Sequence, residues 1–139
     1  MSAKEDAKRL LEPGSTVFLV TVGDDGQPDA RAMSTAKCES LNTVWMLTGK
    51  CSDKFRELSR NPRCLLYATD LDDTKSYLEL RMWGEMELLD DDASRAQTWV
   101  EDYRCYFPGG KDDPNLCVLK FTATSGTLQT ISSKEKFTL

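Results

Sequence analysis

Leu78-Glu-Leu-Arg-Met-Trp-Gly-Glu-Met-Glu-Leu88 is the stretch on which the fold class turns. Leu78, Leu80, Met82, Gly84, Met86 and Leu88 fall on one side of an extended chain. Tyr77, Glu79, Arg81, Trp83, Glu85 and Glu87 fall on the other. A period of two with one apolar face is the pattern of a half-buried antiparallel strand, and it runs from Lys75 to Leu89. Upstream, Arg63 to Thr69 reads as a strand that ends in the acidic loop Asp70-Leu-Asp-Asp73. Thr43 to Thr48, containing Trp45, is another strand. Between them Ser52 to Arg60 is a short helix with Ser52 as its N-cap, Phe55 and Leu58 facing inward and Asn61-Pro62 as its stop.

Nearer the N-terminus, Thr16 to Val22 is a buried strand and Gly23-Asp-Asp-Gly26 a hairpin turn. Asp29 to Lys37 is the return strand. It carries Arg31, Met33 and Thr35 on one face and the small residues Ala30, Ala32, Ser34 and Ala36 on the other. Ala3, Ala7, Leu10 and Leu11 lie at helical spacing before Pro13-Gly14. Downstream, Asp90-Asp-Asp92 opens a helix expected to reach about Tyr103, with Trp99 in the core. Phe107 to Pro114 is a loop, and its aromatic neighbours Tyr103, Tyr106 and Phe107 either border an opening or latch onto the core. Leu116 to about Thr130 is the last strand, bent at Gly126, and the polar tail after Ser132 is expected to be loose. Six strands joined mostly by hairpins, with helices at three intervals, predict a mainly-β antiparallel barrel or sandwich.

The 139 residues suit a single domain. A net charge of −5 argues against a nucleic-acid binder, which needs a basic stripe. No run approaches the roughly 18 apolar residues of a membrane helix, and the charged start lacks a secretory leader. A cytoplasmic protein is therefore expected. The five cysteines have no paired spacing and are read as reduced thiols. There is no histidine, which excludes Ser-His-Asp and Cys-His catalysis and any His-ligated metal. No metal site is expected.

Two pieces carry chemistry: Arg31-Ala-Met33 on a strand, and Thr48-Gly-Lys-Cys-Ser52-Asp-Lys54 at a strand-to-helix junction. A helix N-terminus, a hydroxyl, an ammonium and a guanidinium together suit a phosphate dianion. The plainer alternative is that Ser52 only caps its helix, Lys54 is solvated and Arg31 pairs with one of the many acids. Trp83, on the polar face of the long strand, is either an interface anchor or a lid over a ligand.

The order of these elements resembles the pyridoxamine 5'-phosphate oxidase-like, FMN-binding split-barrel family, of the general stress protein type. The resemblance runs from about Ala7 to about Leu128. It is carried by the hairpin into Arg31-Ala-Met33, by Trp45-Met-Leu-Thr48, Ser52-x-Lys54 and Asn61-Pro62, by Gly84-Glu-Met-Glu before an Asp-rich helix start, and by Phe107-Pro-Gly-Gly with Asp113-Pro114. It implies a six-stranded antiparallel split β-barrel with flanking helices, and a homodimer with FMN at the subunit interface. It also implies that Arg31, Ser52 and Lys54 hold the FMN phosphate, while Met33, Ser34, Leu47 and Thr48 lie along the ring and ribityl chain.

Three departures from the biosynthetic oxidase stand out. Asp53 occupies a position that is basic there, Ala36 replaces a lysine, and no C-terminal Trp and Arg match. Pyridoxal phosphate synthesis is therefore not the expected activity. The resemblance implies instead an FMN-dependent oxidoreductase acting on a small molecule. The alternative is a non-catalytic flavin or phosphorylated-ligand binder, with a deazaflavin or haem ligand as a third reading.

Overall fold

The computed structural model describes residues 3–70 and 77–138. Its centre is one antiparallel sheet built from β1 (Thr16–Val22), β2 (Pro28–Ser34), β3 (Lys37–Ser40), β4 (Thr43–Gly49), β5 (Arg63–Asp70), β6 (Leu78–Leu89), β7 (Leu116–Thr130) and β8 (Lys134–Thr138). Three helices flank it: α1 (Ala3–Leu10), α2 (Asp53–Arg60) and α3 (Asp92–Thr98). The neighbour order is β2-β1-β5-β6-β7-β4-β3, with β8 added to the free half of β7.

The two edge strands of this order, β2 and β3, are consecutive in the chain. Thr35 still donates its N–H to Ser15 O in the first hairpin, whereas Ala36 already donates to Trp45 O on β4. The crossing between Thr35 and Ala36 thus brings the two edges of the sheet together. The result is the expected mainly-β split barrel with peripheral helices, with eight strands instead of six.

The alternation in β6 holds through the strand. Leu78, Leu80, Met82 and Met86 are buried, and Trp83, Glu85 and Glu87 are exposed. The inward residues meet Val17 and Leu19 of β1, Val44 and Met46 of β4, Leu66 and Ala68 of β5, and Leu119, Phe121 and Leu128 of β7. Ala7, Leu10 and Leu11 of α1 and Leu58 of α2 close the remaining openings of this core.

Four sequence expectations need correction. The return strand stops at Ser34, because the chain changes sheet edge there and forms the separate strand β3. The tail is not loose. β8 pairs with β7 from Ser125↔Thr138 to Gln129↔Lys134, and Phe137 lies over Gly126, where a Cβ would come within 2.5 Å of its ring. α3 ends at Thr98 and is followed by a 3-10 turn, Glu101–Cys105; a second 3-10 turn, Gly110–Asp112, sits within the expected loop. Trp99 caps α3 half-buried and stacks near Tyr103 and Arg104, so it is not a core residue. Of the acidic loop, Asp70 ends β5, and the rest lies outside the described residues.

The β6–β7 ladder slips by one residue between Trp83 and Gly84, leaving Thr124 as the extra residue on β7. Thr124 Oγ1 donates to Trp83 O at 3.2 Å across the bulge. At Gly84 an added Cβ would stand 2.1 Å from Thr122 O and 2.8 Å from Ala123 Cα, both backbone atoms of the longest strand. The Gly84→Ala variant is therefore expected to lose about 1–3 kcal/mol of stability. In urea denaturation this reads as a midpoint lowered by roughly 1 M at unchanged slope; an unchanged midpoint would show that the bulge relaxes freely.

Candidate functional site

At one end of the barrel, between β2, β4, the start of α2 and the first 3-10 turn, lies a cleft of about 410 Å³. Its walls include Met33, Ser34, Leu47, Thr48 and Lys54, five of the seven residues singled out in the sequence. Ala32, Gly49, Asn115, Tyr103, Tyr106 and Phe107 complete the lining. The volume is within the ordinary range for a small-molecule site.

α2 delivers Lys54 because Ser52 fixes where the helix begins. The Ser52 hydroxyl accepts from Phe55 N at 3.3 Å and donates to Gly49 O at 2.8 Å. It also lies 3.2 Å from Thr48 Oγ1. Ser52 is thus a true N-cap, just behind the cleft wall. The first-turn N–H groups of Asp53 and Lys54 have no acceptor within their own helix.

Lys54 is half-buried and has no carboxylate partner among the described residues. Burial pushes its ammonium pKa down, and the nearby Arg31 charge pushes it further; Asp53 and Cys51 offset this only in part. An arriving anion would relieve both strains at once.

Arg31 is not in the cleft lining. Its guanidinium donates to Thr21 Oγ1 at 2.6 Å, to Asp29 Oδ2 at 2.9 Å and to Glu57 Oε1 at 3.2 Å. Thr21 in turn donates to Glu57 Oε1 at 2.8 Å, which closes a ring between the first hairpin and α2. Arg31 is therefore held by two carboxylates, Asp29 and Glu57, while Lys54 has none among the described residues. The sequence pointed to Arg31 pairing with an acid as its plainer alternative, and that pairing is present.

The aromatic segment does both things considered for it. Phe107 is buried as a latch, while Tyr106 is 73% exposed at the cleft rim. Its support comes from residues the sequence reading passed over. Arg95, nearly buried on α3, donates to Lys111 O at 2.7 Å, Asp113 O at 2.9 Å and Leu116 O at 2.9 Å, and pairs with Asp90. Asp113 accepts from the N–H groups of Gly109 and Asn115, each at 2.9 Å. Asn115 Oδ1 accepts from Cys51 N at 3.2 Å, tying the loop to the α2 start. Asp90 bridges Lys50 and Arg95, and those bonds hold its carboxyl below the usual range. The stability it contributes is present above the ordinary carboxylate pKa and fades as pH falls through the lowered value.

The cysteines take no visible part in the cleft. All five are free thiols, and burial raises Cys38, Cys117 and Cys64, the last to about 12. Trp83, 43% exposed, lines a separate groove of about 480 Å³ with Val20, Val22, Leu65 and Arg63 on the outer face of the sheet.

A family description, pyridoxamine 5'-phosphate oxidase like, matches residues 2–138. No curated protein matches the chain. Among solved structures, a protein related to general stress protein 26 of B. subtilis (pyridoxinephosphate oxidase family), from Clostridium acetobutylicum, superposes with a TM-score of 0.85 at 29% identity, over 100% of this chain and 97% of the other. A heme binding protein from Mycobacterium smegmatis gives 0.79 at 17% identity, over 99% of this chain and 58% of the other. A pyridoxamine 5'-phosphate oxidase-related, FMN binding protein from Nostoc punctiforme gives 0.72 at 17% identity, over 96% and 84%. The last two show likeness of fold alone.

Removing the Arg95 side chain leaves the carbonyls of Lys111, Asp113 and Leu116 without their donor. Arg95→Ala is expected to cost about 3 kcal/mol or more. Arg95→Lys should recover little, because a compact ammonium cannot span three carbonyls. Urea midpoints of both variants check this; full recovery by lysine would show that charge alone holds the loop.

Proposed function

The chain belongs to the pyridoxamine 5'-phosphate oxidase like family, and from that premise we propose that it is an FMN-binding flavoprotein, an oxidoreductase acting on a small molecule. The observation that carries this reading is the meeting of Met33, Ser34, Leu47, Thr48 and Lys54 on one cleft, with a half-buried ammonium that lacks a carboxylate partner among the described residues. The donor set fits a phosphate ester, with Lys54 and Arg31 as cations, the Thr48 hydroxyl, and the N–H groups that open α2, whose start the Ser52 cap fixes. The apolar length of Met33, Leu47, Phe107 and the two tyrosines suits a flat aromatic ring.

When bound, the flavin supplies hydride or electron transfer. The protein's own contribution is to anchor the phosphate, orient the ring along β2 and β4 and exclude water with the Tyr103–Phe107 wall. Among the described residues lining the cleft none is a carboxylate or an imidazole, and its titratable side chains are Lys54, Tyr103 and Tyr106.

The same absence keeps a second reading in play, a non-catalytic flavin-binding protein on the same fold. A haem ligand, prompted by the description of the Mycobacterium smegmatis protein, has less support. The sequence has no histidine, and the cations at the cleft suit an anionic ester.

We propose a homodimer with FMN at the subunit interface, and the outer face of the sheet as part of that interface. Val20, Leu65 and Trp83 form a cross-strand row there, and Phe18 stacks against Tyr67 beside them. A cytoplasmic location is the reading that the five unpaired thiols favour. Among the described residues no helix is long and apolar enough to cross a membrane.

The purified protein is expected to bind FMN more tightly than riboflavin. Two charge-assisted contacts of about 1.5–3 kcal/mol each are lost in an Arg31→Ala/Lys54→Ala double variant, so FMN affinity should fall by roughly 100-fold or more. Riboflavin affinity should fall far less, its smaller loss reporting the Arg31 bonds to Thr21 and Glu57 that hold α2. Undiminished FMN binding in the double variant would refute the phosphate assignment. Anaerobic mixing with NADH or NADPH separates the two readings: turnover marks the oxidoreductase, and bound flavin that stays oxidised marks the binder.

A further inference from the structure

The Arg31 guanidinium has no free fork. A bidentate grip on phosphate uses two adjacent N–H groups, and both such edges of a guanidinium include Nη2: the Nε–Nη2 edge and the Nη1–Nη2 edge. Both Nη2 protons are engaged, one by Asp29 and one by Glu57, and Nη1 also donates to Thr21. A phosphate can take a fork only after one carboxylate leaves.

The two carboxylates differ in how easily they leave. The Glu57 side chain is 12% exposed, and the oxygen that receives Arg31 also receives the Thr21 hydroxyl, itself fully buried. Withdrawing Glu57 would strand both donors. The Asp29 side chain is 62% exposed and has no other polar partner among the described residues. It sits two residues before Arg31 on the same face of β2, so a rotation at its own side chain returns it to water at little cost.

We propose that Asp29 is a built-in placeholder for the ligand's phosphate. Its carboxylate occupies one edge of the Arg31 fork, and a bound phosphate takes that edge in its place while Glu57 and Thr21 keep the guanidinium aimed. This rests on the reading of the cleft as a phosphate-ester site. Asp29 then acts as a specificity element. It lowers the affinity for every phosphate-bearing ligand and leaves ligands without phosphate untouched. It also accounts for a guanidinium held by two acids, of which only the exposed one is replaceable.

The test titrates the full chain and its Asp29→Asn and Asp29→Ala variants with FMN and with riboflavin, read by flavin fluorescence at low ionic strength. Both variants should bind FMN about 2- to 5-fold more tightly than the parent, the range expected for an exposed ion pair. Riboflavin affinity should stay the same, which also verifies that the cleft is intact. The gain should shrink at about 0.5 M salt. A parent protein that does not prefer FMN to riboflavin would bring down the phosphate reading, and the placeholder with it. A parent that prefers FMN, with variants whose preference is unchanged or weaker, would overturn the placeholder alone.

Discussion

The ring of hydrogen bonds among Arg31, Thr21 and Glu57 is the interaction on which the site depends. It joins the hairpin of β1 and β2 to α2, elements that are separated in the chain by β3 and β4. A surface ion pair of this kind would contribute little, but here the partners are mostly shielded, and one oxygen of Glu57 serves both donors. The ring fixes the face that α2 turns to the barrel. Leu58 then points into the core, and Lys54, one turn earlier than Leu58, reaches the cleft beside Met33 and Thr48. The same bonds that position α2 also occupy the guanidinium.

Closure of the barrel supplies the other half of the site. Because β2 and β3 are consecutive yet lie at opposite ends of the strand order, the crossing at Thr35 and Ala36 sets β2 against β4. Met33-Ser34 and Leu47-Thr48 face one cleft for that reason. The far wall is held differently, by Arg95 reaching three carbonyls of the loop before β7 and by Asn115 reaching the α2 start. One side of the cleft is thus sheet, and the other is a loop pinned by polar contacts.

How much of this the sequence disclosed depended on whether the determinant was local. The alternation from Leu78 to Leu88, the Ser52 cap and the Gly23–Gly26 turn are local patterns, and each folds as its residues dictate. β8 leaves little trace in the sequence because Lys134-Glu-Lys-Phe-Thr138 carries one apolar residue, and its reason to pair is the space over Gly126, distant in the chain. The acidic start of α3 is a local signal, whereas its end at Thr98 is not. Trp99 leaves the helix to stack near Tyr103 and Arg104. That Lys54 and the residues of β2 and β4 share one cleft agrees with what the family resemblance implies, since the order of elements carries it. Glu57 and Arg95 were not legible, since a charged residue on a short helix looks like surface until its partners are known. An arginine spaced to face inward on the Asp-rich helix was the available signal for the latter.

If residues 31–34 and 47–54 form one binding surface for a phosphate-bearing flavin, amide chemical-shift mapping of isotope-labelled protein titrated with FMN will show it. Saturable shifts are expected on those two segments and on the Tyr103–Phe107 wall. Saturable binding that leaves the amides of both segments unmoved would contradict the shared surface.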